Sequence, residues 1–329
     1  MLRRLCCVFL CTLLLLLTAC TSAAVSEEVL WHMDTAITVR LYGERNATAA
    51  ALSAADDLLD TLDACLSATD KNSPIAHFNT SIDGADVTLD EDTLALIGHA
   101  LDISRLTDGA FDITTAPLTT LWQSCEDANL LPTDDALTAT LALVGRIHLS
   151  LTDNTLTKDA SEVRIDLGGI GKGYTVDCLL TELRATEGVT AALISMGSNV
   201  AVLGEKPDGK PWKIALRDPN DATAALGYLH LTEGQILSVS GDYERYFTIE
   251  GQNYGHILDP QTGYPPTNGL RSVAVLCESG ATADALSTAL LVMGEDAARA
   301  LYESGALDFE AVFVYDDRVT CTSAITLYP

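Results

Sequence analysis

The stretch IDLGGIGKGYTVD, residues 165–177, sets glycines at 168, 169, 171 and 173 around Lys172. An apolar run leads into it and a helix-like run leaves it. Glycine permits left-handed backbone and close approach to a ligand. The first N–H groups of a helix lack partners within the helix and carry a partial positive charge. Bare backbone plus a lysine at a helix mouth therefore suits an anion, most often a phosphate. The spacing is not that of a nucleotide-triphosphate P-loop, because Gly173 and Tyr174 follow the lysine where Ser or Thr is required. The alternative is a tight strand-to-helix turn with an exposed lysine.

Around this stretch the chain reads as helices and strands grouped in runs. Residues 36–42 alternate, with Ile37, Val39 and Leu41 on one side, which predicts a strand. A helix starting at Asn46 carries the apolar stripe Leu52, Ala55, Leu59, Leu62 and Leu66, and Asp90 caps another with Leu94, Ile97, Leu101 and Leu106. Residues 134–144 read as helical. A hairpin is expected from 147–151 and 156–165 around Asp153-Asn154. After a helix at 174–184, strands dominate: 191–195, 200–203, 212–217, 226–231, 236–240, 243–249 and 270–277. Two helices follow, at 282–293 and from Asp296, then a hairpin of 312–315 and 319–327. Segregated runs favour an α+β fold over a doubly wound sheet.

Composition narrows the partners. The chain has 329 residues, is 48% hydrophobic and carries a net charge of -27. Nucleic acid is excluded as a partner, since counterion release needs basic patches. The same charge would repel a phosphorylated ligand unless a cation or oriented amides intervene. Cysteines 65, 125, 178, 277 and 321 are scattered, with neither a CxxC nor a histidine pairing, so zinc or a disulfide framework is not expected; they read as mostly buried small apolar residues. At the start, Arg3 and Arg4 precede an apolar run from Leu5 to Leu17 and the tetrad Leu17-Thr18-Ala19-Cys20. This is a secretory signal of residues 1–19, and its cysteine resembles a bacterial lipobox. The expected product is lipidated on Cys20, tethered by residues 20–28 at the extracytoplasmic face of the membrane. Residues 29–329 then form a single domain.

Other stretches carry chemistry. Asp284 and Thr288 are four apart on a predicted helix and share a face, with Ser287 beside them; three oxygen groups within one turn suit a hard cation such as Mg²⁺. His256, followed by Leu258-Asp259-Pro260 and Thr262-Gly263, sits on a turn that can hold an imidazole at a site. Phe111, in Gly109-Ala110-Phe111-Asp112, is placed to stack on a flat ring. Each has a structural reading too: a small polar helix face, a structural histidine, a core aromatic.

Taken together and in order, these stretches resemble the ApbE family of flavin transferases. The matching segments are HMDTAITV (32–39), DKNSPIAHFN (70–79), DGAFDITTAPL (108–118), IDLGGIGKGYTVD (165–177), SVSGDYERYF (238–247), HILDPQTGYP (256–265) and TADALSTALLVMG (282–294). The resemblance implies an ApbE-like, T-fold-related architecture with strand-rich sheets, flanking helices and an FAD site in a cleft between two lobes. It implies Mg²⁺-dependent cleavage of FAD, with FMN moved to a threonine or serine hydroxyl of an acceptor protein and AMP released. Acceptors would be extracytoplasmic subunits of redox complexes and related flavoproteins. By the same resemblance Asp284, Thr288 and the Gly169 carbonyl hold the metal, with Ser287 a further candidate. Met33, Ala110, Phe111, Asp112, Asp166, Lys172, His256 and Leu258 contact FAD. His256 and Lys172 are the catalytic pair, His256 taking the proton of the attacking hydroxyl. Pro74 and Ile75 stand where relatives often carry an aromatic, which shifts the expected ring stacking to Phe111 or Tyr42. Two other functions fit the same site: an FAD pyrophosphatase, with water as acceptor, and an FAD-binding lipoprotein without chemistry. A solute-binding lipoprotein would need two alternating α/β lobes, which the strand-rich second half does not offer.

Overall fold

Strands whose apolar residues alternate assemble one eight-stranded sheet in the computed structural model, which describes residues 24–152, 154–221 and 223–329. In sheet order the strands are β1 (Ala24–His32), β2 (Thr35–Gly43), β5 (Val189–Met196), β6 (Asn199–Leu203), β9 (Ile236–Gly241), β12 (Ser272–Cys277), β13 (Glu310–Val314) and β14 (Val319–Cys321). Every neighbouring pair is antiparallel. Three hairpins stand outside the sheet: β3–β4 (Leu149–Thr152, Thr155–Lys158), β7–β8 (Trp212–Arg217, Ala225–Leu231) and β10–β11 (Tyr246–Ile249, Gln252–Gly255). The α+β expectation holds.

Both faces of the sheet are covered, so most of its central strands carry apolar residues on both sides. One face packs Ile37, Val39 and Leu41 of β2 with Ile194 of β5 against α1 (Arg45–Leu66) and α6 (Gly171–Ala185). Further along the same face, Val273, Val275 and Phe313 meet α7 (Gly280–Met293), α8 (Glu295–Ser304) and α3 (Glu91–Leu106). The other face meets the β7–β8 hairpin through Trp212, Leu216, Leu229 and Leu231. A smaller unit gathers around the fully buried Trp122 of α4 (Ala116–Ala128), with α5 (Asp134–Leu141) and the β10–β11 ribbon supplying Leu137, Phe247 and Ile249.

Helices α6 and α7 cross at van der Waals distance through two glycines. A Cβ on Gly173 would lie 2.0 Å from the Gly280 carbonyl oxygen, and one on Gly280 would lie 2.3 Å from that of Gly173. The pair is also tied by crossed carboxylates. Gly173 N donates to Asp284 on α7 at 2.9 Å, while Asp177 on α6 accepts from Gly280 N at 2.7 Å and Ala281 N at 3.0 Å. Each carboxylate satisfies orphan N–H groups at the start of the other helix.

Several sequence expectations need correction. The tether expected at 20–28 reaches into β1, where Ala24–Glu28 pair with β2; residues 1–23, with the signal and Cys20, lie outside the described residues. The strand expected to run to Ile165 ends at Lys158, because the chain beyond is held by side chains rather than by a ladder. Helix α2 (Pro74–Thr80) and α4 were not expected; Pro74 and Pro117 sit in the first turns of these helices, where proline is tolerated, and not at bends. Among the described residues no helix is long and apolar enough to cross a membrane. The five described cysteines are free and half-buried rather than core residues.

The crossing predicts an inverted glycine effect. Gly173→Ala should destabilise the fold by about 3 kcal/mol, from overpacking and the strained amide–carboxylate bond. Gly98→Ala, in α3 with only an ordinary 3.4 Å contact to Leu151, should be neutral or stabilise by up to ~1 kcal/mol. Urea unfolding of the two variants checks the contrast. A second expectation concerns the sheet edge: a chain starting at Ala24 should keep the full-length melting temperature, and one starting at Val29 should melt several degrees lower.

Candidate active site

The glycine turn is held rigidly on its entry side. Lys158, only 4% exposed, donates through Nζ to the carbonyls of Asn79 (3.2 Å), Ser161 (3.1 Å) and Val163 (2.9 Å). The Asn79 side chain then pairs with both backbone groups of Ile165, at 2.7 and 2.8 Å. Asp166 N bonds Ile113 O at 2.7 Å, and the Asp166 carboxylate accepts from Gly168 N at 2.8 Å. At the exit, α6 begins without a side-chain cap, whereas α3 and α7 are capped by Asp90 and Ser279. Of the first α6 N–H groups, Gly171 N bonds Leu167 O at 2.7 Å and Gly173 N bonds Asp284, so among the described residues it is Lys172 N that is left for an anion. Lys172 folds back so that Nζ donates to Gly168 O at 2.7 Å, which places the ammonium on the turn itself.

Opposite the turn, α7 lies over a polar strip on the sheet. Asn199, Ser238 and Ser240 point from β6 and β9 toward the helix, on a face whose other residues are mainly apolar. Asp284, 4% exposed, accepts from Gly173 N, from Asn199 Nδ2 (3.2 Å) and from Ser238 Oγ (3.2 Å). Ser287 is fully buried, bonded to Ser240 at 2.8 Å and donating to Asp284 O at 2.9 Å. Thr288 is half-buried, bonded to Ser240 at 3.2 Å, and its Oγ1 lies 3.9 Å from where a Gly169 Cβ would stand. Thr288 thus lies beside Gly169, and Asp284, one helical turn earlier, holds Gly173 N, while Ser287 faces into the serine network.

These groups fit a hard cation. A carboxylate has about four lone-pair sites, and three donors leave Asp284 one. Beside it Asn199 Oδ1 is a buried acceptor without a donor. Among the described residues no three His, Cys, Asp or Glu side chains form a metal cluster. One carboxylate with neutral oxygens is the donor set expected where a substrate's phosphates complete the shell of Mg²⁺.

The third wall comes from the Trp122 unit. Trp122 Nε1 donates to Gly263 O at 2.8 Å, and Gln261 Nε2 to Asp108 O at 2.9 Å, which fixes the 256–264 loop against the 108–112 turn. His256 continues the β10–β11 ladder, its N bonding Arg245 O at 3.2 Å. Its Nδ1 also lies 3.0 Å from Arg245 O. A carbonyl only accepts, so in the neutral ring Nδ1 carries the proton and Nε2 presents a lone pair. Burial pushes the imidazole below its ordinary pKa. The bond to Arg245 O opposes this, and the charges of Arg245 and Lys172 reinforce it.

The remaining expected residues divide. Met33 forms the β1–β2 turn with Asp34, both at positive φ (51° and 54°), a conformation costing about 1–2 kcal/mol per non-glycine residue. Asp63 anchors Met33 N at 2.9 Å, and its sulfur meets Thr175 Oγ1 at 3.5 Å, one turn beyond Lys172. Phe111 is 3% exposed and its ring packs on Gly169, 3.1 Å from a would-be Cβ, so the ring is committed to the turn. Ala110 is buried beside it. The Asp112 carboxylate is occupied by Thr114, Ser104 and Arg146 N and braces its own loop. Leu258 is buried in the Trp122 cluster, so only its backbone is available to a ligand. Tyr42 is on the opposite face of the sheet, edge-on to Trp212, and cannot stack at this site. Sequence reasoning missed Asn199, Ser238, Ser240, Lys158, Asn79 and Arg245. The alternation of Ser238 and Ser240 within an otherwise apolar strand was the available signal.

Comparisons with known proteins place the chain in a family. The model of the ApbE family matches residues 33–313. A Vibrio cholerae protein named FAD:protein FMN transferase is 34% identical over 264 residues, 80% of this chain and 79% of that protein. The solved flavin transferase ApbE from Vibrio cholerae superposes with a TM-score of 0.82 at 30% identity, covering 92% of this chain and 98% of that one. The ApbE protein of Thermotoga maritima superposes at 0.78 and 31% identity, covering 93% and 97%. On motif order, fold and the match over most of its length, this chain belongs to the ApbE family.

Proposed function

We propose that the protein is an FAD:protein FMN transferase, and the observation that carries this is the state of His256. Burial lowers its pKa, Nδ1 is turned to Arg245 O so that the neutral ring presents the Nε2 lone pair, and the charge of Lys172 in the first turn of α6 acts on it. A base of that kind suits a hydroxyl nucleophile attacking a phosphate. The acceptor's serine or threonine oxygen bonds to the FMN-side phosphorus of FAD. The P–O bond to the AMP moiety breaks, the bridging oxygen leaves with AMP, and the hydroxyl proton goes to His256 Nε2. Lys172, through its ammonium and its own N–H at the start of α6, offsets the charge on the diphosphate, which the net charge of -27 would otherwise repel. Asp284, Thr288 and the Gly169 carbonyl would hold Mg²⁺, with Ser287 and Ser240 orienting them. When bound, Mg²⁺ neutralises phosphate charge and stabilises the leaving group. The acceptor is an extracytoplasmic flavoprotein subunit of a redox complex, and the enzyme reaches it from a lipid anchor on Cys20.

His256→Ala should keep FAD affinity and slow AMP release by about 10²–10⁴-fold, the usual worth of a general base. In the wild type, the acid limb of kcat/KM should fall below the ordinary imidazole value of ~6.5, because a lowered pKa keeps the base deprotonated at more acid pH. A wild-type AMP-release rate in the alanine variant would remove His256 from the mechanism. Asp284→Ala should abolish Mg²⁺ dependence and also cost about 1–3 kcal/mol, since Gly173 N and Asn199 lose their acceptor. Asp284→Asn keeps an acceptor oxygen and should lose the metal with a smaller stability change; metal titration and thermal melts separate the two. Cys20→Ala should release the protein from membranes with FAD binding intact, read by fractionation and fatty-acid labelling.

A further inference from the structure

Arg245 has no role in the chemistry above, yet its position is set by the same ladder that sets His256. In the β10–β11 ribbon Tyr246 pairs with Gly255 and Phe247 with Tyr254. The bond from His256 N to Arg245 O extends that register by one pair. Directly opposed residues share a face, with Cβ atoms about 5 Å apart. Phe247 and Tyr254, two positions along, lie on that face and pack on Trp122. The ribbon's inner face is thus apolar where it meets α4 and ends in Arg245 and His256 where it leaves it. The Arg245 side chain is exposed, in a chain with 46 acidic and 19 basic residues. Its charge, with that of Lys172, acts on the His256 imidazole. Two cations on different elements, facing one neutral base, create a locally positive spot on an acidic protein.

We infer that Arg245 is a substrate-binding residue whose guanidinium takes the diphosphate of the flavin dinucleotide from the His256 side. This rests on the transferase reading. A planar fork of donors suits phosphate oxygens, and reaching them from the ribbon leaves the turn side to Lys172.

The test is a flavin-fluorescence titration of the purified protein with FAD, FMN and riboflavin, for wild type, Arg245→Gln and Arg245→Lys. Arg245→Gln should weaken FAD and FMN about 10- to 100-fold, the worth of a charged hydrogen bond, and leave riboflavin unchanged. Arg245→Lys should recover part of the loss. The acid limb of kcat/KM for AMP release should also move to higher pH in Arg245→Gln, because removing a cation eases protonation of His256. Equal losses for all three flavins would show a packing effect and overturn the assignment. Unchanged FAD affinity would overturn it too, including the case where only the KM for a protein acceptor rises, which would place the guanidinium on the acceptor. A wild-type protein that binds FAD without releasing AMP would sink the transferase reading alone, since the FAD-to-riboflavin ratio still reports on Arg245.

Discussion

The close crossing of α6 and α7 is the constraint on which the site depends. Only two glycines allow the backbones to approach so closely, and the approach brings Gly173 N, in the first turn of α6, to Asp284. The same contact lets Asp177 cap α7. Burial pushes the Asp177 carboxyl up, and the amides of Ala281 and Gly280 pull it back. A carboxylate used as a tertiary cap is therefore costly to bury and is offset by helix N–H groups. Moving either helix by the width of a methyl group would break both ties and separate the glycine turn from Thr288.

Around that crossing, a protein of strongly negative charge has to hold an anion. It does so with fixed partial charges and few full ones. Lys172 is folded onto the turn, and the carboxylates beside it, Asp166 and Asp284, are each engaged by backbone N–H donors. The serines of β9 are the counterpart of this arrangement. They place hydroxyls on a face that elsewhere is mainly valine, isoleucine and leucine, and so keep the buried Asp284 and Ser287, and the half-buried Thr288, hydrogen-bonded. The Trp122 unit completes the site from a separate core, which is why His256 reaches it on a loop that is pinned at Gly263 and Gln261 and is not free.

Elements with strong periodicity were legible in the chain. The α1 stripe, the Asp90 cap, β2 and the strands from 189 to 241 lie within a few residues of expectation. The failures have local causes. Helices α2 and α4 were missed; each is entered through a proline in its first turn, Pro74 and Pro117. Glu27 and Glu28 mask β1, an edge strand with little burial. Residues 159–165 were read as continuing the strand, but Lys158 and Asn79 bond to carbonyls and an amide there, and no pattern in the chain announces a lysine used that way. At the site, residue types were readable and their duties less so. Phe111 and Asp112 belong to a matching segment, yet packing commits both to the fold.

By itself the sequence determined the α+β class, the family, and the turn and helix that present Lys172, Asp284 and Thr288, because these follow from glycine spacing, periodicity and motif order. Only the tertiary structure decided which side chains are free to act. Freedom depends on neighbours distant in the chain: Gly173 with Asp284 across 111 residues, Asn79 with Ile165 across 86. The proton position on His256 likewise follows from one carbonyl on the opposing strand. A hydrogen bond is a short-range contact, and local pattern does not specify which distant group will make it.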